Sequence, residues 1–127
     1  MDTNDPVPNV PLAAIISNQI RLHRDLLADD FEVSRVGNLT VRHYIGALIT
    51  QVVFAAFSKI EQAGDKVRRI HGSWSDGPHP ILTVIVDCTG DSFTDITSFS
   101  HLQEAAQELR GSLAVRSREI CLNIPLH

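Results

Sequence analysis

The chain has 127 residues, a length typical of one domain and sufficient for one hydrophobic core. Hydrophobic residues make up 43% of it and charged residues 20%, which excludes a wholly disordered chain. A net charge of −4 argues against a protein that mainly coats a polyanion, because phosphate binding depends on Lys and Arg. No run approaches the length of about 20 apolar residues needed to cross a bilayer. The start, MDTNDPVPNVP, has no basic residue of the kind a signal peptide carries, so we expect a cytoplasmic protein.

The first predicted elements are a tail and an amphipathic helix. Residues 1–10 hold prolines and polar residues and are predicted to form a flexible tail. Asn9 followed by Pro11 is typical of a helix start. Apolar residues then recur at three- and four-residue spacing, which predicts a helix over about 11–28. Leu22 lies among the polar positions of this helix and is therefore a candidate exposed contact.

The second helix is the most apolar element of the chain. A short strand is predicted over 31–36, and Thr40 is expected to cap the helix that follows. This helix runs to about Ala63 and stops at Gly64. Phe54 falls in the middle of its polar side. Either the N-terminal helix covers Phe54, which we favour because that helix must bury its own apolar residues, or Phe54 is an exposed anchor for a partner.

Two strands and a loop are predicted next. The strands cover 67–74 and 81–86, and the turn sequence SDGP between them is typical of a hairpin. The near-continuous apolar run of the second strand indicates a central position in a sheet. Residues 89–99 are rich in Ser, Thr, Gly and Asp and are interpreted as a loop.

The C-terminal part is predicted to contain one helix and one strand. Ser100 and Gln103 fit a capping box, and the apolar spacing continues to Leu113 on the inner face of the helix. Residues 120–126 alternate between apolar and other side chains, as a half-buried strand does. Pro125 indicates an edge strand or a strand end.

The order of elements predicts the fold class. It is a helix followed by β-α-β-β-α-β, which is typical of a two-layer α+β sandwich of the ferredoxin-like type with a four-stranded antiparallel sheet. A single domain over 11–127 is therefore expected, with an extra N-terminal helix. That helix either completes the helical layer or swaps onto a partner.

The histidines flanking the predicted hairpin form the strongest pattern for a metal site. A hairpin could bring His71 and His79 together, with Asp76 between them. No third ligand is placed by the spacing, and the chain has no HxH, CxxC or HExxH motif. Ordinary turn residues are the better interpretation, so neither a metal nor a cofactor is predicted.

Acid–base chemistry has one candidate region, the 87–101 loop. It carries Asp87, Asp91, Asp95 and His101. Nothing in the spacing sets a nucleophile against them, and acids ahead of a helix also complement its positive end. No catalytic residue is therefore predicted.

Nucleic-acid binding is disfavoured. The basic cluster Lys66, Arg68 and Arg69 is small. Sheet-based RNA-binding domains stack bases on exposed aromatic side chains, and Trp74 is the only aromatic residue that the pattern places with certainty on a strand. The glycines are scattered, with no GxxxxGK or GxGxxG run to hold a phosphate.

Six segments between residues 31 and 126 share a pattern with a known family. They are GNLTV, IGALITQVVFAAFSKI, VRRIHG, ILTVIVD, HLQEAAQELRGSL and EICLNIPL. In this order they resemble the alkaline-shock family of envelope-stress proteins. The Tyr-Gly pair of that family is replaced by Cys88-Thr89-Gly90, and the N-terminal helix lies outside the resemblance. The resemblance implies a non-enzymatic protein that gathers at the inner face of the bacterial membrane through an anchored partner.

We therefore predict an interaction or scaffold protein that self-associates in an envelope-stress setting. The predicted partner contacts are Phe54, Leu22 and Trp74. Two alternatives stay open: a ferredoxin-like domain that senses a small molecule, and an enzyme that uses the 87–101 loop.

Overall fold

The computed structural model describes residues 9–34, 38–75 and 77–126. Seven strands and three helices lie in this part of the chain, with 3₁₀ turns at Arg24–Leu26 and Ile96–Phe99. The elements are β1 (Asn9–Pro11), α1 (Leu12–Leu22), β2 (Leu27–Ser34), β3 (Thr40–Arg42), α2 (His43–Ala63), β4 (Val67–Trp74), β5 (Ile81–Cys88), α3 (Ser100–Glu108), β6 (Ser112–Val115) and β7 (Glu119–Pro125).

Five of the strands form one mixed sheet in the order β2-β4-β5-β7-β6. The pair β2–β4 is parallel and is connected through α2, whereas the other three pairs are antiparallel. The predicted α+β class and the order β-α-β-β-α-β are confirmed. The sheet has five strands where four were expected, because β6 pairs beside β7. It is mixed where an antiparallel sheet was expected, because β2 and β4 run parallel. The short strands β1 and β3, which pair with each other, were not predicted either.

The helices cover one face of this sheet. Along β5 and β7, alternate residues are buried, and the buried set belongs to the same core as the inner side of α2. Phe57 and Ile60 of α2 are fully buried in that core, as are Leu82 and Leu122 of the strands. This arrangement follows from the period of two along a strand, which sends alternate side chains to opposite faces.

The N-terminal helix is shorter than predicted. It ends at Leu22 rather than near residue 28, because His23 leaves helical geometry (φ −124°) and its backbone N–H caps the last turn. The chain then enters β2 at Leu27, four residues before the predicted strand start. Residues 35 and 36 of the predicted strand lie outside the described part of the chain.

Both predicted caps of the first two helices are wrong. Asn9 and Thr40 lie in β1 and β3, which pair antiparallel, so their backbone groups belong to a small two-stranded ladder. The helices start later, and the preceding residues, Pro11 and Arg42, make no side-chain capping bond. Of the predicted tail over 1–10, only the last two residues are described, and both belong to β1.

The C-terminal predictions need three corrections. The helix ends at Glu108, and Leu113 lies in β6, since Arg110 takes a left-handed conformation (φ 64°) that ends the helix. Ser100 and Gln103 form no capping box: the Ser100 hydroxyl donates to the Thr97 carbonyl at 2.9 Å, and the Gln103 amide donates to the Leu113 carbonyl at 3.1 Å. Pro125 ends its strand as predicted, but β7 is not an edge, because β6 lies outside it.

Helix α2 is apolar because it is the core helix of a globular domain. By length and composition it could cross a membrane, with a mean hydropathy of 1.3, contrary to the expectation from sequence. Half of that window is buried inside the domain, however. Contact with the sheet and with both other helices accounts for its composition.

Candidate functional site

Two of the three predicted contact residues lie where the end of α1 meets the middle of α2. Leu22, the last residue of α1, is 70% exposed, and Phe54 in the middle of α2 is 52% exposed. The ring of His23, the residue after Leu22, packs edge-on against Phe54, with ring centroids 5.7 Å apart. We call the exposed side chains of Leu22 and Phe54, with the half-buried ring of His23, the Leu22–Phe54 surface. The N-terminal helix thus reaches Phe54 through His23 but leaves about half of it open.

His23 is held in place by contacts on two sides. Its Nδ1 lies 3.0 Å from the Gln19 carbonyl, and because a carbonyl only accepts, Nδ1 must carry the proton. The ring also packs edge-on against Phe57, at a centroid distance of 5.1 Å. The ring therefore links the end of α1 to the buried side of α2.

Sequence reasoning did not single out His23 or its neighbour Gln19. Gln19 is 6% exposed, and its Oε1 has no hydrogen-bond partner within the described residues. The signal was available, since Gln19 lies three and four residues after the buried Ile16 and Ile15 on the inner side of α1.

A cleft of about 490 Å³ adjoins the Leu22–Phe54 surface. It is open to solvent and mixed in charge, with the ammonium group of Lys66 donating to the Asp25 carbonyl at 2.9 Å across it. Three basic and three acidic side chains line it: Arg21, Arg24, Lys66, Asp25, Glu61 and Asp65.

Trp74, the third predicted contact, lies elsewhere. It is 37% exposed and ends β4, whereas Lys66 beside the cleft directly precedes that strand. Eight residues of strand separate the two ends by about 25 Å at a rise of about 3.3 Å per residue. Trp74 therefore does not belong to the Leu22–Phe54 surface.

The hairpin does not bring the two predicted histidines opposite each other. His71 pairs with Ile85 in the register of β4 and β5, and its Nδ1 lies 2.8 Å from the hydroxyl of Ser34. His79 comes before the first residue of β5. Asp76 lies outside the described residues. In the described ranges, no three His, Cys, Asp or Glu side chains group closely enough to hold a metal ion.

The acids of the 87–101 loop are each bound by a different neighbour. Asp87 pairs with Arg69 at 2.8 Å, and Asp91 pairs with Arg118 at 3.0 Å. Asp95 accepts hydrogen bonds from the Thr97 side chain and backbone, which lower its carboxyl pKa. The side chain of His101, on α3, is exposed. These contacts hold the loop against its surroundings and do not aim the carboxylates at a common point.

The face of the sheet that the helices leave open is mainly polar. The Thr83 hydroxyl donates to the Asn123 amide oxygen at 2.8 Å, and the Arg69–Asp87 pair lies on the same side of the strands. Cys121 is half-buried there, and burial raises the pKa of its thiol.

A second cavity in the helical layer is a groove between α2 and α3. Its volume is about 220 Å³, below the several hundred Å³ typical of ligand sites. Tyr44, Leu48 and Leu109 are among its lining residues. The small-molecule alternative therefore stays a prediction.

Comparison with known proteins identifies the fold only. No family model matches the chain, and no curated protein matches it. A histidine kinase domain from the blue-light activated histidine kinase EL346 of Erythrobacter litoralis is similar in structure, with a TM-score of 0.58 at 18% identity over 91% of this chain. The fold of this chain is similar to that of histidine kinase domains. The chain spans 61% of that domain, so it corresponds to only part of it.

Two further histidine kinase structures are also similar in fold to this chain. One is of the Erythrobacter litoralis EL346 blue-light activated kinase, with a TM-score of 0.56 at 18% identity, covering 91% of this chain and 42% of that one. The other is the Acinetobacter baumannii histidine kinase AdeS, with a TM-score of 0.56 at 12% identity, covering 94% of this chain and 66% of that one. The resemblance to the alkaline-shock family stays a prediction.

Proposed function

We propose that this chain is a non-enzymatic interaction domain that acts in signalling by association through the Leu22–Phe54 surface. The observation that carries the proposal is the exposure of Leu22 and Phe54, 70% and 52%, where the end of α1 meets α2, on a helical layer whose other large apolar residues are mostly buried. Exposed apolar side chains that adjoin each other, with charged residues around them, are typical of protein contact sites.

The structural similarity of this chain to histidine kinase domains makes phosphoryl transfer the competing function. That chemistry depends on groups that cradle phosphates and on metal ions held by the protein. The chain has no glycine-rich phosphate motif, and its described residues contain no metal-binding group of three side chains. The loop acids Asp87 and Asp91 are paired with arginines. These observations support use of the fold for binding rather than for catalysis.

The cellular setting is part of the proposal and comes from the resemblance to the alkaline-shock family. We place the domain in the cytoplasm, at the inner face of the membrane when an anchored partner recruits it. Envelope stress is the condition under which we expect the association to matter.

Affinity capture from native cells, with the membrane fraction retained, tests this function. The tagged wild type is compared with Leu22→Glu and Phe54→Glu, and with Gln62→Glu as a control that adds the same charge at an exposed position of α2. We expect one set of proteins to be retained by the wild type and the control and lost from both surface variants. Equal retention by all four proteins would show that the surface is not the contact. Trp74→Glu, run in parallel, tests the remaining predicted contact separately.

A nucleotide titration tests the non-enzymatic part of the proposal. ATP with Mg²⁺ is titrated into the purified chain by calorimetry, and phosphate incorporation from labelled ATP is measured. We expect no saturable binding in the micromolar range and no incorporation. Saturable binding with incorporation would replace this proposal with a kinase-type function.

A further inference from the structure

We propose that the free edge of β2 binds an extended basic segment of a partner protein, which adds to the sheet as a further strand. This contact is separate from the Leu22–Phe54 surface, so the inference goes beyond the proposed function. Three observations carry it: β2 is an edge strand, its exposed side chains differ between the two faces of the sheet, and one acid beside it has no cationic partner.

Strand β2 lies at one end of the sheet and, among the described elements, packs chiefly along β4. The register of this pair shifts between Leu27 and Glu32, so the extended residues 28–31 have no partner in β4. An edge strand presents backbone N–H and C=O groups on its outer side, where an added strand can pair with them. At the opposite edge, the Leu113 carbonyl of β6 already accepts a hydrogen bond from the Gln103 amide at 3.1 Å. With eight residues against four, β2 is the longer of the two edges.

The side chains of β2 are acidic on one face of the sheet and apolar on the other. Asp30 and Glu32 line one shallow cavity on the open face. Phe31 and Val33 alternate with them on the side of the helices. Phe31 is half-buried against the core, and Val33, opposite the buried Ile70, is 41% exposed. An added strand would therefore meet carboxylates on one face and apolar side chains on the other, since its own side chains alternate in the same way.

The cavity on the open face, of about 390 Å³, leaves one acid without a cationic partner. Its two arginines are each paired with an acid: Arg68 lies 3.6 Å from Asp30, and Arg69 lies 2.8 Å from Asp87. Glu32, the third acid of the cavity, is exposed and forms no ion pair within the described residues. A lysine or arginine side chain of the added strand would supply the missing positive charge to this carboxylate.

The same acids disfavour a second copy of this chain as the added strand. Two β2 strands side by side would bring the Asp30 and Glu32 carboxylates of both copies together, and like charges on neighbouring strands destabilise the pair. A strand that alternates basic and apolar residues has the opposite charge on the acidic face and an apolar contact for Val33 on the other. The charge of the edge therefore selects a different protein with a segment of that composition.

Binding of a model peptide tests the inference. The probe is a fluorescein-labelled heptapeptide in which valine and lysine alternate, and its fluorescence anisotropy is followed as the full chain is added. We expect saturable binding with a dissociation constant of roughly 100 μM, because a short peptide loses much of its contact energy to ordering. Glu32→Lys should weaken this binding at least about tenfold. Glu104→Lys makes the same change of charge at an exposed position of α3 and should leave the binding unchanged.

A fully N-methylated version of the same peptide distinguishes strand addition from attraction by charge alone. N-methylation keeps the lysine charges but removes every backbone N–H, so we expect this peptide not to bind. The unmodified peptide should also slow the amide hydrogen exchange of residues 28–34 and leave that of β6 unchanged.

Three outcomes would overturn the inference: no saturable binding up to about 1 mM, equal binding of the N-methylated peptide, or equal effects of Glu32→Lys and Glu104→Lys. Each variant is checked for folding by circular dichroism. The peptide experiment leaves Leu22 and Phe54 intact, so its failure would not affect the proposed function. Equally, capture that does not depend on Leu22 and Phe54 would overturn the proposed function without bearing on the β2 edge.

Discussion

The two faces of the five-stranded sheet are built from neighbouring residues of the same strands, yet they are stabilised differently. On the covered face, Val84 and Leu122 are buried beneath the helices. On the open face, Thr83 bonds to Asn123, next in sequence to these two residues. The covered face excludes water over its central strands β5 and β7, whereas the open face consists of separate polar contacts at the solvent boundary.

This difference indicates where the stability of the domain resides. Burial of apolar surface contributes about 25 cal/mol per Å², so a large side chain on the covered face contributes a few kcal/mol. An ion pair near the surface contributes about 1 kcal/mol or less. The open face can therefore vary widely without unfolding the domain, because antiparallel strands tolerate water on one side.

The largest effect is expected from a matched pair of substitutions in β7. Leu122→Ala should lower the free energy of unfolding by about 2–5 kcal/mol, because it leaves a cavity in the core. Cys121→Ala, one residue away on the open face, should lower it by about 1 kcal/mol or less. Urea denaturation of both variants measures the difference, and equal losses would contradict the distinction between the faces.

Gly111→Ala should come next in size. A Cβ at this position would collide with the backbone carbonyl of Asn123, so β6 must move away from β7. We expect a loss of about 1–3 kcal/mol in the free energy of unfolding. Ser112→Ala, at the adjacent exposed position, serves as the control and should change stability by less than about 0.5 kcal/mol. A Gly111→Ala variant as stable as this control would show that the strands adapt freely.

The ion pair of the open face should have a smaller effect. Arg69 and Asp87 are 2.8 Å apart, with side chains 37% and 21% exposed. A double-mutant cycle of Arg69→Ala and Asp87→Ala should give a coupling energy of about 0.5–1 kcal/mol, reduced by salt. A coupling of several kcal/mol would mean that the pair is far less exposed to water than the structure shows.

The smallest effect concerns the thiol of Cys121. Burial raises its pKa, so the thiolate should form at higher pH in the folded chain than in the unfolded chain. Alkylation rates are measured against pH in a Cys88→Ser background, where Cys121 is the single thiol. We expect the midpoint for the folded chain to lie above that for the chain in urea. Coincident midpoints would place Cys121 in full contact with water.

Sequence analysis predicted best where local signals decide the conformation. The predicted bounds of β4 are confirmed, since alternation and a clear turn on its C-terminal side define it. The predicted stop of α2 at Gly64 is confirmed, because Gly64 takes a left-handed conformation (φ 78°) that glycine adopts at little cost. In both places the chain itself contains the reason for its structure.

The errors came where distant residues compete for the same backbone groups. Thr40 has the composition of a helix cap, but β1 offers its backbone a strand partner. Leu113 keeps the helical spacing of α3, but β7 offers it a place in the sheet. A strand partner that is distant in sequence does not change the local residue pattern, so secondary-structure propensity alone cannot predict the pairing.

The same division applies to the candidate site. The sequence by itself determined that Leu22 and Phe54 are apolar residues on the polar sides of their helices, because helical periodicity assigns a side to each position. Only the tertiary structure decided that both lie where the end of α1 meets α2 and that Trp74 lies apart from them. The physical reason is the packing of α1 along α2, where His23 ends one helix and contacts the other. Such contacts between separate elements arise from the burial of their shared core, which no single segment of the sequence encodes.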